Sequence, residues 1–271
     1  MAGSIAAKLD LGSEHPVIIH YATMEQPWQW LAAGWQDILR CPGVSIGYGL
    51  IWVVLSLLIV GGLWSADQGS WLLPLIAGFM LMGPLVAVGN YEISRRLQQG
   101  SRVTLGQVLL AWRQNPTQIA LMGLLLMIFL LAWIRFATIL FALFFGVDIP
   151  TVDTATIYTD LLLTGTGLSL IVTGTVIGAV LAFVAFALSV VSIPRLLDQP
   201  GTSVLEAVIT SLAVVQQNLK PMLLWGLILS VITFAGLALA FVGLAIALPL
   251  LGHASWHAYR DLVSEGQPAD R

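Results

Sequence analysis

Charged side chains vanish from this chain in long, recurring stretches. Pro221 to Tyr259 is 39 residues without Asp, Glu, Lys or Arg. Charge-free runs also cover Cys41–Ala66, Gln68–Tyr91, Gln114–Ile134 and Leu161–Pro194. The hydrocarbon core of a bilayer is about 30 Å thick, so about 20 apolar residues make one helical crossing. The pattern predicts spans over 44–64, 71–91, 117–135, 166–192, 221–239 and 240–259. The last two divide the longest run near Gly236–Gly243, because one straight helix of that length would reach about 58 Å, nearly twice the core. A single tilted helix there, giving five crossings, is the alternative.

The polar segments between the spans share a pattern. Thr23–Gln26, Thr104–Gln107 and Ser203–Glu206 each read Ser/Thr-x-x-Glu/Gln, the capping box of a helix start. Each opens a short amphipathic stretch: Trp28, Leu31, Trp35 and Ile38 share a face in the first, Leu105, Val108, Leu109 and Trp112 in the second, Leu205, Val208, Ile209 and Leu212 in the third. Each stretch then meets a proline, Pro42, Pro116 or Pro221, and a helical hairpin is predicted after it. Two hairpin exits also agree, Ile93-Ser-Arg95-Arg-Leu97 and Ile193-Pro-Arg195-Leu-Leu197. The expected fold is therefore an all-α polytopic membrane protein, six helices in three parallel hairpin repeats of about 23–97, 104–197 and 203–260. Interfacial helices join them, the first with Gln29, Gln36, Asp37 and Arg40 facing water. Residues 1–22 and 261–271 read as tails, the first disordered, outside a single membrane domain over 23–260.

Composition and charge placement give this frame an orientation. Of 271 residues, 58% are hydrophobic and 9% charged, against about 25% charged in a soluble domain. With the N-terminus inside, the inner loops carry Lys8, Arg40, Arg95, Arg96, Arg102, Arg113, Arg195, Lys220, Arg260 and Arg271. The outer loops carry Asp67, Asp148, Asp153 and Asp160, with Arg135 at the boundary. The positive-inside rule thus predicts cytoplasmic termini, and six crossings keep Arg260 inside. The net charge of −3 does not point to a nucleic-acid partner; the bilayer is the expected partner. The N-terminal segment has no apolar core and does not read as a cleavable signal peptide. Cys41 is the sole cysteine, which excludes an intramolecular disulfide and a cysteine-type zinc site.

Candidate chemistry is sparse. His253 and His257, four apart near the inner surface, share a helix face that could contribute to zinc or haem, although no third ligand is evident, so no metal or cofactor is expected. The plain alternative is a pair of interfacial histidines beside Trp256 and Tyr259. Arg135, near the outer end of the third span, suits an anion or lipid headgroup, or snorkelling, or pairing with Asp148, Asp153 or Asp160. Asn90, Tyr91 and Glu92 lie where the second span leaves the membrane and form a candidate inner-cavity cluster; Glu92 and Arg96 alone would be an ordinary helix ion pair. Gly174, Gly178 and Ala182 give the fourth span a small-residue stripe for helix packing, with a homodimer contact as the alternative. No phosphate loop, HExxH, GxSxG or paired carboxylates within a span is present, so no catalytic set is expected.

Trp30-Leu-Ala-Ala-Gly-Trp-Gln-Asp-Ile-Leu-Arg40 with Pro42 and Tyr48-Gly49, then Pro74–Gly78, Gly83-Pro84 and Tyr91–Leu97, resemble a bacterial family of predicted integral membrane proteins, a domain of unknown function (family 2189). The resemblance is strongest over 28–115. It implies a bacterial inner-membrane protein without an assigned activity. Two function classes follow. One is a non-catalytic scaffold, assembly or accessory subunit of another membrane complex. The other is a transporter or channel for a small neutral or apolar solute, for which Thr164, Thr166, Ser169, Thr173 and Thr175 of the fourth span are the densest polar path. A periplasm-active reporter fused after Arg271 is expected to be inactive; an active fusion would leave an odd number of crossings.

Overall fold

The computed structural model describes residues 5–10, 16–146, 159 and 161–266. Strands β1 (Ile5–Leu9) and β2 (Val17–His20) precede a helical body, and β3 (Val263–Glu265) follows it. The helices are α1 (Gln26–Arg40), α2 (Pro42–Ser65), α3 (Leu72–Val86), α4 (Val88–Gln98), α5 (Leu105–Leu109), α6 (Pro116–Phe145), α7 (Gly165–Ser189), α8 (Ser192–Asp198), α9 (Val204–Gln217), α10 (Leu219–Ala238) and α11 (Leu244–Leu262). Among the described residues, five helical stretches are long and apolar enough to cross a membrane: Pro42–Ser65, Leu72–Gln98, Pro116–Phe145, Gly165–Asp198 and Leu219–Ala238. The fold is a polytopic helical membrane protein.

Each amphipathic segment turns into a spanning helix through one shared backbone corner. The corner residues are Cys41 (φ −139°, ψ 59°), Asn115 (φ −147°, ψ 69°) and Asn218 (φ −123°, ψ 36°). Pro42 and Pro116 occupy the first helical position, where a missing N–H costs nothing. Capping boxes close at Thr104/Gln107 and Ser203/Glu206. At the first site only one half forms, the Gln26 side chain accepting from the Thr23 N–H at 2.6 Å. The second and fourth spans break near their C-terminal ends, at Ala87 and at Val190–Val191. Pro84, inside α3, removes one of the hydrogen bonds just ahead of the first break.

The structure departs from the predicted pattern in four places. Within the predicted N-terminal tail, Ile5–Leu9 and Val17–His20 are strands: β1 pairs with β2, and β2 with β3, both antiparallel, so segments near the two ends of the chain share one sheet. The reason is an alternating strand, Val17 and Ile19 buried between half-buried Ile18 and His20. In helix α1, Asp37, expected to face water, is buried with Trp30, Gly34 and Ile38, while Trp28, Gln29, Trp35, Gln36 and Arg40 are exposed. The third span runs ten residues past its predicted end, to Phe145, which leaves exposed Arg135 well inside α6. The sixth predicted span, α11, is not among the helices apolar enough to cross on composition, because His253, Ser255, His257, Arg260 and Asp261 lower its hydropathy.

Helix α11 is instead the protein-enclosed axis, with fourteen of its nineteen residues buried. It arises where the 39-residue run folds back at 239–243. Ala240 (φ 50°) and Phe241 (φ 67°) adopt left-handed backbone there, and Gly236 and Gly243 stack so closely that a Cβ on Gly243 would lie 2.8 Å from Gly236 Cα. From that turn α11 runs back past α2, α4 and α1 to the sheet. Glycines permit each crossing. A Cβ on Gly49 would lie 2.5 Å from the Ala245 carbonyl oxygen, one on Gly34 2.7 Å from the Ala254 nitrogen, and one on Gly252 2.5 Å from Asn90 Cβ. Close backbone approach of this kind is how helices gain dispersion energy where lipid offers no hydrophobic drive. Gly34→Ala is expected to destabilise the protein by about 1–3 kcal/mol through overpacking. Gly47→Ala, with no atom within 4 Å of the new Cβ, is expected to be neutral. Thermal unfolding of both variants in detergent checks this.

Candidate functional site

Where α1, α2, α4 and α11 converge, polar side chains meet in the core. Asp37 comes from α1, Ser45 from the first turn of α2, Ser94 from α4, and His253 and His257 from α11. Asp37, Ser45, Ser94 and His253 are all buried. Ser94 Oγ lies 2.8 Å from Asp37 Oδ2 and 2.8 Å from His253 Nδ1. His253 Nδ1 is also 3.1 Å from the Asn90 carbonyl oxygen, and its Nε2 is 3.0 Å from Ser45 Oγ. His257 Nε2 sits 2.8 Å from Asp37 Oδ2, and Arg40 reaches Asp37 Oδ1 at 3.4 Å.

An ionised carboxylate only accepts hydrogen bonds, and this fixes the direction of the rest. Ser94 donates to Asp37, so its lone pair receives His253 Nδ1–H, which the Asn90 carbonyl shares. His253 Nε2 is then the acceptor, and Ser45 donates to it. His257 donates to Asp37 from the other side. Every donor in the chain points toward one carboxylate. Burial by itself would raise the Asp37 pKa, but the hydrogen bonds from His257 and Ser94 and the positive character of His257 outweigh it and hold the carboxyl below its usual value. Chemically, this is an oriented hydroxyl–imidazole–hydroxyl–carboxylate relay that reaches the surface through half-buried His257 and exposed Arg40.

The predicted site residues fall into different surroundings. His253 and His257 do share a face, but each ring is engaged by the relay, and among the described residues no group of three His, Cys, Asp or Glu has metal-binding placement. Asp261, on the same helix, accepts from Trp30 Nε1 at 2.8 Å. Glu92 is fully buried and holds two guanidinium groups, Arg95 at 2.7 and 3.0 Å as well as Arg96. Asn90 donates weakly to the Leu248 carbonyl at 3.4 Å, and its Oδ1 is buried without a partner. Arg135 is exposed on α6; Asp148, Asp153 and Asp160 lie outside the described residues. Gly178 faces Trp133 of α6, where a Cβ would come within 2.9 Å of the ring, and Gly174 has only Leu140 nearby, at 4.0 Å. Thr164, Thr166, Ser169 and Thr175 are exposed and Thr173 is half-buried.

Further polar corners fix the layer around this relay. The Asn115 amide donates to the Leu196 and Thr202 carbonyls. Asn218 accepts from the Ala22 N–H at 2.7 Å and donates to the His20 carbonyl at 3.1 Å. Arg195, buried, donates to Thr210. Above this layer, among the spans, lies an apolar cavity of about 380 Å³ bounded by α3, α4, α7, α10 and α11.

Sequence reasoning missed Asp37, Ser45 and Ser94. The available signal was the spacing Trp30, Gly34, Asp37, which places the carboxylate on the small-residue face of α1. Asp37→Ala is expected to cost about 3–5 kcal/mol, because it strands buried partners of the carboxylate. Ser45→Ala, which removes only the outermost donor, is expected to cost about 1 kcal/mol. Unfolding in detergent separates the two, and equal effects would contradict the relay. Because the folded Asp37 pKa lies below its usual 3.8, its contribution is present above that pH and is lost as the pH falls below it.

No curated protein and no solved structure matches this chain. A family model does match. It begins at Leu72, inside the stretch where the sequence resemblance is strongest, and continues through α8. Over residues 72–198, α3 to α8, the chain is similar to the family described as Predicted integral membrane protein (DUF2189).

Proposed function

We propose that this protein is a non-catalytic integral protein of the bacterial inner membrane, with both termini cytoplasmic, that serves as a scaffold, assembly or accessory subunit. The observation that carries the reading is the inner layer. Its polar side chains are spent on ties between segments distant in the chain: Asp37 to α4 and α11, Asn115 to α8 and the turn before α9, Asn218 to β2. A layer so cross-tied is a rigid platform. Its outer side displays Trp28, Trp35 and Leu39 on α1 and Leu205, Ile209 and Leu212 on α9, a surface suited to headgroups or a partner helix.

The same reading takes the chain as three parallel hairpin units with α11 as the returning limb of the third. The shared corners at Cys41, Asn115 and Asn218 support it. So do the hairpin ends, where Arg95-Arg-Leu97, Arg195-Leu-Leu197 and Arg260-Asp-Leu262 align. The sheet that joins β1 and β2 to β3 supports placing the two ends on one side, and the positive-inside count makes that side cytoplasmic. The alternative, a transporter or channel for a small neutral or apolar solute, is favoured by the apolar cavity; among the residues that line it, the threonine-rich start of α7 does not figure. A cross-linked pull-down from native membranes tests the choice. Stoichiometric recovery of the subunits of one membrane complex is expected, and recovery of this chain with lipid alone would move the weight to transport.

A further inference from the structure

The cavity among the spans has the shape of a slot. Phe79 to Tyr91 lines it along α3 and α4, and Leu244 to Ser255 lines it along α11, so at 1.5 Å per helical residue it runs about 17 Å parallel to the helices. A volume of about 380 Å³ drawn out over that length is narrow. It fits one extended hydrocarbon chain better than a compact solute. The slot opens sideways between α7 and α10, where Phe183, Leu223 and Leu227 belong both to its lining and to the exposed apolar surface. That surface is the part of the protein that meets lipid.

Its inner end is polar in a specific way. Ser189 and Ser230, also in the lining, donate to the Ala185 and Gly226 carbonyls one turn back in their own helices. Tyr91 is different. It lines the slot, is 2% exposed, and its hydroxyl has no hydrogen-bond partner among the described residues. Ser255, buried at the same end, also has none. A phenol that lines the slot without an acceptor gains a hydrogen bond when an oxygen acceptor enters. At the inner end of a hydrocarbon slot, the fitting acceptor is the carbonyl oxygen at the head of an acyl chain.

We propose that this slot binds one acyl chain of a membrane lipid, entering between α7 and α10, with the carbonyl oxygen of the chain at the Tyr91 hydroxyl. The chain carbons replace the van der Waals partners that the lining lacks, and the carbonyl satisfies Tyr91. An esterified chain of a phospholipid and a free fatty acid share this chemistry.

The full-length protein is reconstituted into phosphatidylcholine vesicles that contain a trace of phosphatidylcholine with a diazirine on one acyl chain, or, in a parallel sample, a diazirine-bearing palmitic acid. After illumination, labelled peptides are mapped by mass spectrometry. The expected result is label on slot residues such as Met222 and Leu251, above the level on outward-facing residues such as Leu124. Which of the two probes labels the slot identifies the source. Gly226→Leu is expected to lower slot labelling at least about tenfold with outward labelling unchanged. A Cβ there meets only the Phe186 ring, at 3.8 Å, so the backbone accepts the change while the side chain fills the slot. Tyr91→Phe is expected to fold normally and to lower slot labelling about three- to tenfold, the value of one hydrogen bond. Slot labelling no greater than outward labelling with both probes, or equal labelling of wild type and folded Gly226→Leu, would overturn the proposal.

Discussion

A buried carboxylate needs donors, and Asp37 sets the polar layer of this protein around that need. Leaving an ionised carboxylate in a low-dielectric interior without partners costs several kcal/mol. Two helices supply what it lacks: α1 carries it, and α4 and α11 bring Ser94 and His257. Charge-assisted hydrogen bonds are about twice as strong as neutral ones, and here they hold α11 against α1 at the level where Gly34 lets the two backbones touch. The orientation of His253 and Ser45 then follows from proton bookkeeping alone.

The helix α11 owes its unusual character to the same constraint. A lipid-facing helix is kept apolar by its solvent, and the five candidate spans are mostly unburied, with only 11% to 39% of their apolar windows covered by protein. Helix α11 is covered almost completely, so it can carry His253, Ser255 and His257. Its walls are other helices, and their polar groups answer its own. The left-handed residues Ala240 and Phe241 mark the reversal that brings it back, a conformation that costs about 1–2 kcal/mol per residue and that the packing of Gly236 on Gly243 retains.

The layers divide the physics. In the span region, stability comes from dispersion and small-residue contact, as at Gly178 on Trp133 and Gly49 on Ala245. In the polar layer, it comes from directed hydrogen bonds between segments far apart in sequence. The two asparagines at the helix corners are an instance: Asn115 and Asn218 hold like backbone angles yet tie different strands and turns.

Hydropathy by itself determined that the chain crosses a membrane and roughly where, because bilayer thickness sets a length that any apolar helix either meets or exceeds; whether the 39-residue run tilts or folds back was decided by the structure. Local chemistry likewise determined two of the three capping boxes and the proline-started helices, since these depend on neighbours within one turn. The burial of Asp37 in α1, the sheet that joins the chain ends, the relay around Asp37 and the slot at Tyr91 were decided by tertiary structure. Each depends on which helix lies opposite. Asp37 reads as a surface residue in an amphipathic stretch, and only the approach of α11 with two histidines makes its burial tolerable. His253 and His257 read as an i, i+4 pair, and only α1, α2 and α4 reveal that each ring already has its hydrogen-bonding partners.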